Sequence, residues 1–211
     1  MMGQQGVVVM GLDPGFASFG WCTARVERVA GVQEPDPSFS FGPFTLAPNP
    51  ATRIMPLAAG VIRTKRQGQK ERVYAADDNL SRARAIYQDL VQALDRFQPR
   101  CICAEAMSFP RSASVAAKMA LSWGLVAAEA FRRQIPILQV TPQRLKRQLT
   151  GRNDASKEEV EAELLGRLGD LSPIWLGLLK ALPAGQHEHM NDALAACWAC
   201  LDSEAIQLLC G

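Results

Sequence analysis

The sequence predicts an α/β fold, a mixed five-stranded sheet made of an antiparallel meander plus parallel strands and flanked by helices. Three observations predict it. An unbroken apolar run, Val7-Val8-Val9-Met10-Gly11-Leu12, ends in Asp13 and meets Pro14-Gly15 at once, which reads as a buried strand closed by a sharp turn. A second run of the same kind, Cys101-Ile102-Cys103-Ala104, ends in Glu105. After residue 100 the pattern changes to strand, helix, strand, helix.

The elements follow in order. Trp21 to Val26 reads as the second strand. Phe39 to Leu46, which alternates aromatic or apolar residues with small ones, reads as a third. The first hundred residues then hold mostly antiparallel strands plus one helix. Ser114 to Gln134 is a long Ala-rich helix, Ile135 to Val140 a strand, and Ala193 to Leu209 an apolar closing helix. Thr141-Pro142 fits an N-cap with Pro at the first helical position, and Ser156 to Glu159 fits a capping box. Strands 1, 4 and 5 are expected to be parallel through crossover helices, with the meander on one edge. Ala116, Ala120, Gly124 and Ala128 lie four apart on the long helix. The default expectation is that this stripe faces the sheet; the alternative is a two-fold dimer seam.

In an open α/β sheet ligands bind outside the carboxyl ends of the parallel strands, and Asp13 and Glu105 occupy such ends. A carboxylate there is poorly solvated, which is costly unless it meets a cation. His189-Met190-Asn191-Asp192 opens the closing helix, and His189 and Asp192, three apart, share one face. Singly these are a turn residue, a solvated edge and an N-cap. Together they form an oxygen-rich candidate site for hard divalent cations.

Composition sets the frame. At 211 residues and 48% hydrophobic content the chain is expected to fold as one domain, residues 1–211, around a good core. No stretch has the length and purity of a transmembrane helix. Val7 to Leu12 is too short for a signal peptide and lacks a cleavage site, so a cytoplasmic protein is expected. The net charge of +2 is small, but residues 37–70 hold five bases and no acid, and residues 130–153 hold six and no acid. A face of one sign binds phosphate whatever the total. Arg144, Lys146, Arg147 and Arg152 flank a Gly-containing loop and are candidate phosphate contacts; Arg132 and Arg133 read as solvated helix-end residues. The six cysteines fit a reducing compartment. Cys101 and Cys103 read as small core residues on one strand face. Cys197 and Cys200 have CxxC spacing but sit in a predicted helix, so zinc binding with His187 or His189, or redox chemistry, is the lesser reading.

The residues also resemble a known family in series and in order. Gly11-Leu12-Asp13-Pro14-Gly15, Gly60 to Lys65, Ala104-Glu105-Ala106, Leu145-Lys146-Arg147, Gly151 through Ser156-Lys157, Leu178 to Ala184 and Asp192-Ala193-Leu194-Ala195 resemble the RuvC-type Holliday junction resolvases of the RNase H-like superfamily. The likeness runs over nearly the whole chain. Two stretches, Ala47 to Pro56 and Gly169 to Gly177, look inserted. The resemblance implies a metal-dependent endonuclease that resolves four-way DNA junctions by paired symmetric nicks. It implies Asp13, Glu105, His189 and Asp192 as ligands of Mg²⁺, with Mn²⁺ expected to substitute because imidazole suits it. His189 is favoured over His187 for its spacing from Asp192. Lys157 would approach the scissile phosphate or the water as a point charge. Lys146, Arg144, Arg147, Arg152, Arg111, Arg63 and Lys65 would contact DNA, and Phe109, or less favoured Met107, would wedge into the junction centre. A homodimer is implied, because the junction presents two equivalent strands, and a branch-migration helicase is a candidate partner.

Other readings compete. A related RNase H-like nuclease acting on other branched DNA or RNA/DNA hybrids would use the same four ligands. A junction-binding protein that no longer cuts predicts a lost ligand, and all four positions are filled. An actin-like kinase would need further Gly-rich phosphate loops that the sequence lacks.

Overall fold

Strand β1 (Val7–Asp13) lies at the centre of the molecule, and its side chains alternate between two cores. Val7 and Val9 belong to one buried cluster, Met10 and Leu12 to the other. In the computed structural model, which describes residues 6–28, 52–66, 74–107 and 112–210, β1 is followed by β2 (Ser18–Arg28), β3 (Thr52–Arg63) and helix α1 (Ala75–Phe97). Then come β4 (Cys101–Glu105), α2 (Ala113–Arg133), β5 (Ile137–Val140), α3 (Pro142–Thr150) and α4 (Lys157–Leu168). A 3₁₀ turn leads to α5 (Ser172–Leu179), and α6 (His187–Cys200) and α7 (Glu204–Cys210) close the chain. The sheet order is β3-β2-β1-β4-β5. β1 pairs antiparallel with β2 and β2 with β3, while β1–β4 and β4–β5 are parallel. This is the mixed five-stranded sheet expected.

Helices cover both faces. α1 and α2 pack on the Met10 and Leu12 side. α6 lies on the other side, where its Met190, Ala193, Leu194 and Cys197 are buried with α3, α4 and α5 around it. The two caps read from sequence are present: the Thr141 side chain accepts from the Arg144 amide, with Pro142 in the first turn, and Ser156 and Glu159 form a reciprocal capping box.

Several expectations change. The second strand begins at Ser18 rather than Trp21, because the turn occupies only residues 14–17. The expected third strand, Phe39 to Leu46, lies outside the described residues; the third strand of the sheet is Thr52–Arg63. Pro56 sits in it at a bulge between Thr23 and Ala24 of the neighbour, where an edge strand tolerates a residue without an N–H. The closing apolar helix is two helices, broken at residues 201–203. The small-residue stripe of α2 does not face the sheet: Ala120, Gly124 and Ala128 are exposed, and Ser122, Val126, Glu129 and Ala130 are buried instead. Arg133 is only partly solvated. Its side chain is half-buried and pairs with Glu129 and Asp95, and Arg132 also pairs with Glu129. Among the described residues all six cysteines are free thiols. Cys101 and Cys103 do share the α6 face.

No single helix among the described residues is long and apolar enough to cross a membrane. The α6–α7 stretch passes by length and composition only. It is bent by 82°, and α6 is buried in the core.

Candidate active site

Strand parity aims the first two carboxylates. Asp13 has the parity of Val7 and Val9, and Glu105 that of Cys101 and Cys103, so both point toward α6. They lie one step beyond the last paired residues of the parallel ladder, Leu12 and Ala104. They therefore stand side by side at the carboxyl edge of the sheet.

Two glycines let α6 reach them. A Cβ at Gly11 would collide with the backbone oxygen of Ala193, and one at Gly20 with that of His189. Gly20 pairs directly with Asp13. The first turn of α6 thus lies against the sheet at the level of Asp13. His189 Nδ1 donates to Asp13 Oδ2 at 2.7 Å. Asp192, one turn on, is close enough that it and Asp13 both raise the Glu105 proton affinity. The four residues gather from positions up to 179 apart in sequence numbering (192 − 13).

The electrostatics are those of crowded, half-buried carboxylates. Burial first, then the Asp192 and Asp13 charges, push Glu105 up to about 7. Burial, then Asp13, pushes Asp192 up to about 6. The bond to Asp13 raises His189. Three carboxylates and an imidazole in one recess are a donor set for a hard divalent cation. Among the described residues no three of these side chains are already arranged around one coordination point; Asp13 and His189 bond each other instead.

Lys157, the first residue of α4, follows the Ser156 cap. Its ammonium pairs with Glu188 and lies in the field of Asp192 and Asp13. The Lys146 ammonium donates to Ala155 O at 2.6 Å and acts on Glu105 together with Lys157. Arg147 bonds Asn153, and Arg152 bonds Asp154 and Glu159, so the loop between α3 and α4 is internally tied. Arg144, Arg63 and Lys65 are exposed. Arg63 pairs with Ser18, which puts it on the same edge of the sheet as Asp13. Met107 is half-buried; Phe109 and Arg111 lie outside the described residues. His187 is turned away, its Nε2 bonded to Leu182 O at 3.0 Å.

Sequence reasoning missed the parts that hold the site. The buried Trp175 Nε1 donates to Asn191 Oδ1 at 3.0 Å, between the two α6 ligand candidates. Thr64 Oγ1 donates to Phe16 O at 2.6 Å, Arg82 Nε donates to Thr64 at 2.9 Å, and the Arg82 guanidinium lies 4.5 Å over the Phe16 ring. This chain of contacts fixes the turn behind Asp13. Glu188 belongs with these missed residues. Of the two glycines under α6, Gly11 carried a local signal, a glycine inside an apolar strand.

A model of the family described as crossover junction endodeoxyribonuclease RuvC matches residues 29–196. The chain belongs to the RuvC family. RuvC of Pseudothermotoga lettingae is 25% identical over 193 residues, covering 91% of this chain and 92% of that one. RuvC of Thermus thermophilus is 28% identical over 190 residues, 90% of each. The solved structure of T. thermophilus RuvC in complex with Holliday junction substrate superposes with a TM-score of 0.62 at 25% identity, over 92% of each chain. The fold is accordingly RNase H-like, and the family's activity is that of a structure-specific, metal-dependent endonuclease at Holliday junctions.

Proposed function

We propose that this chain binds four-way DNA junctions as a homodimer and resolves them by paired symmetric nicks, with Mg²⁺ held by Asp13, Glu105, His189 and Asp192. The observation that carries the reading is the 2.7 Å bond joining His189 to Asp13 at the sheet edge, with Glu105 and Asp192 in the same electrostatic recess. Divalent ions bound there would activate the attacking water and neutralise the leaving 3′-oxygen. Mn²⁺ is expected to replace Mg²⁺.

The chain's own groups supply the rest. Lys157 offers its charge to the scissile phosphate from the first turn of α4. Lys146 has donors left beyond its bond to Ala155 and reads as a phosphate contact. Arg63 and Lys65 on one side of the carboxylates, and Arg144, Arg147 and Arg152 on the other, give the edge a basic flank on each side. Phe109 and Arg111 remain candidates for wedge and backbone contact. For the dimer, the exposed side of α2 offers Val115, Leu121 and Phe131 beside the small residues. The single-domain reading with additions at 47–56 and 169–177, a cytoplasmic setting and a branch-migration helicase partner belong to the same proposal.

The deciding experiment incubates the purified chain and Mg²⁺ with labelled four-way, Y-shaped, duplex and RNA/DNA hybrid substrates. Paired nicks at symmetric positions of the four-way junction are expected. Preferential cutting of hybrids or Y-shapes would instead make it a related nuclease of other substrates, and tight binding without cuts a junction-binding protein.

A further inference from the structure

Glu188 occupies the first turn of α6, where an acidic residue is ordinarily a partner for the helix dipole. Its contacts run elsewhere. One carboxylate oxygen holds the Lys157 ammonium, from a helix 31 residues earlier in the chain. The other lies 3.8 Å from His189 Nε2. Glu188 thus links the lysine of α4 to the ring whose opposite nitrogen is bonded to Asp13. It stands outside the set of Asp13, Glu105, His189 and Asp192.

A lysine at this place has a problem of aim. Its side chain is 65% exposed, and its flexible four-carbon stem has many rotamers open to it. Asp13 and Asp192 pull the ammonium toward the recess. That pull is cancelled once cations neutralise these carboxylates. The Glu188 carboxylate, paired with the ammonium, still faces Lys157.

We propose that Glu188 is the positioning residue for Lys157: it keeps the ammonium at the mouth of the recess, aimed for the scissile phosphate, when the ligand carboxylates no longer attract it. The proposal rests on the reading of this recess as the phosphodiester-cleaving site. Glu188 touches neither DNA nor reacting atoms in this role; it acts through Lys157. Because the ion pair is exposed, its loss costs the fold little, so Glu188→Gln is expected to fold normally.

The test compares wild type, Glu188→Gln, Glu188→Asp, Lys157→Met and the Glu188→Gln/Lys157→Met double variant. Single-turnover junction cleavage in Mg²⁺ is measured at saturating protein. Junction affinity is measured in EDTA, and Lys157 acylation by acetic anhydride in metal-free protein is followed by mass spectrometry against Lys180. Glu188→Gln is expected to slow cleavage about 10- to 100-fold, the range a misplaced group costs. Affinity should stay unchanged and Lys157 should acylate several times faster than in wild type. Glu188→Asp should recover part of the rate, and the double variant should be no slower than Lys157→Met alone. A Glu188→Gln enzyme that cuts at the wild-type rate or faster, or slowdowns that multiply in the double variant, overturns the proposal. Asp13→Asn run in parallel separates the two failures. If that variant still cuts, the recess is not the site; if it does not while Glu188→Gln cuts normally, only the role of Glu188 falls.

Discussion

At the scale of single residues, the recess holds more negative charge than its solvation supports. Glu105 and Asp192, pushed to about 7 and about 6, take up protons on folding, and so does His189. Each raised group contributes stability at low pH that is lost as pH climbs through its folded value. The metal-free protein should therefore lose stability between about pH 4 and 7 as Glu105 and Asp192 give up those protons. Added Mg²⁺ should raise the melting temperature more at pH 8 than at pH 5.5, because ions bind the deprotonated carboxylates. Thermal melts with and without Mg²⁺ at the two pH values check this; an equal gain at both would contradict it. Asp13→Asn should abolish cleavage while leaving junction binding in EDTA largely intact, as read by gel shift. Cleavage that survives would place the chemistry elsewhere.

At the scale of elements, the site depends on how closely α6 lies against β1 and β2. Gly20→Ala would push a methyl into the His189 backbone. Overpacking of this kind costs about 1–3 kcal/mol, and here it would also lift His189 from Asp13. A drop in melting temperature together with a large loss of cleavage is expected. The Gly169 to Gly177 stretch also supports α6. Trp175→Phe would leave Asn191 Oδ1 buried and unbonded, at a cost of about 1–3 kcal/mol readable by urea denaturation. The capping residues of α3 and α4 were legible because their hydrogen bonds are local. The exposed stripe of α2 was not, since small residues fit a close helix contact on either side of the helix, and only burial says which.

At the scale of the whole molecule, charge is sorted by position rather than by total. Bases lie on both sides of the acidic recess along the sheet edge, so junction affinity should fall steeply with salt. Lys146→Ala should weaken binding and lower the slope of log affinity against log salt by about one; an unchanged slope would rule out a phosphate contact. Symmetric incision needs two sites facing one junction. Sedimentation should find a dimer, and Leu121→Glu on the exposed side of α2 should yield a monomer that has lost paired nicking. A wild-type monomer that still nicks in pairs would remove α2 from this role.

The amino-acid order by itself determined the strand that ends in Asp13, the strand that ends in Glu105, the caps of α3 and α4, and the spacing of His189 and Asp192. Each is a matter of periodicity or of contacts within a few residues. Only the tertiary structure decided that α6 comes down on the sheet through Gly11 and Gly20, that the His189 ring bonds Asp13, and that Glu188 takes Lys157. Those outcomes depend on steric fit between segments far apart in the chain, which no local pattern of residues encodes.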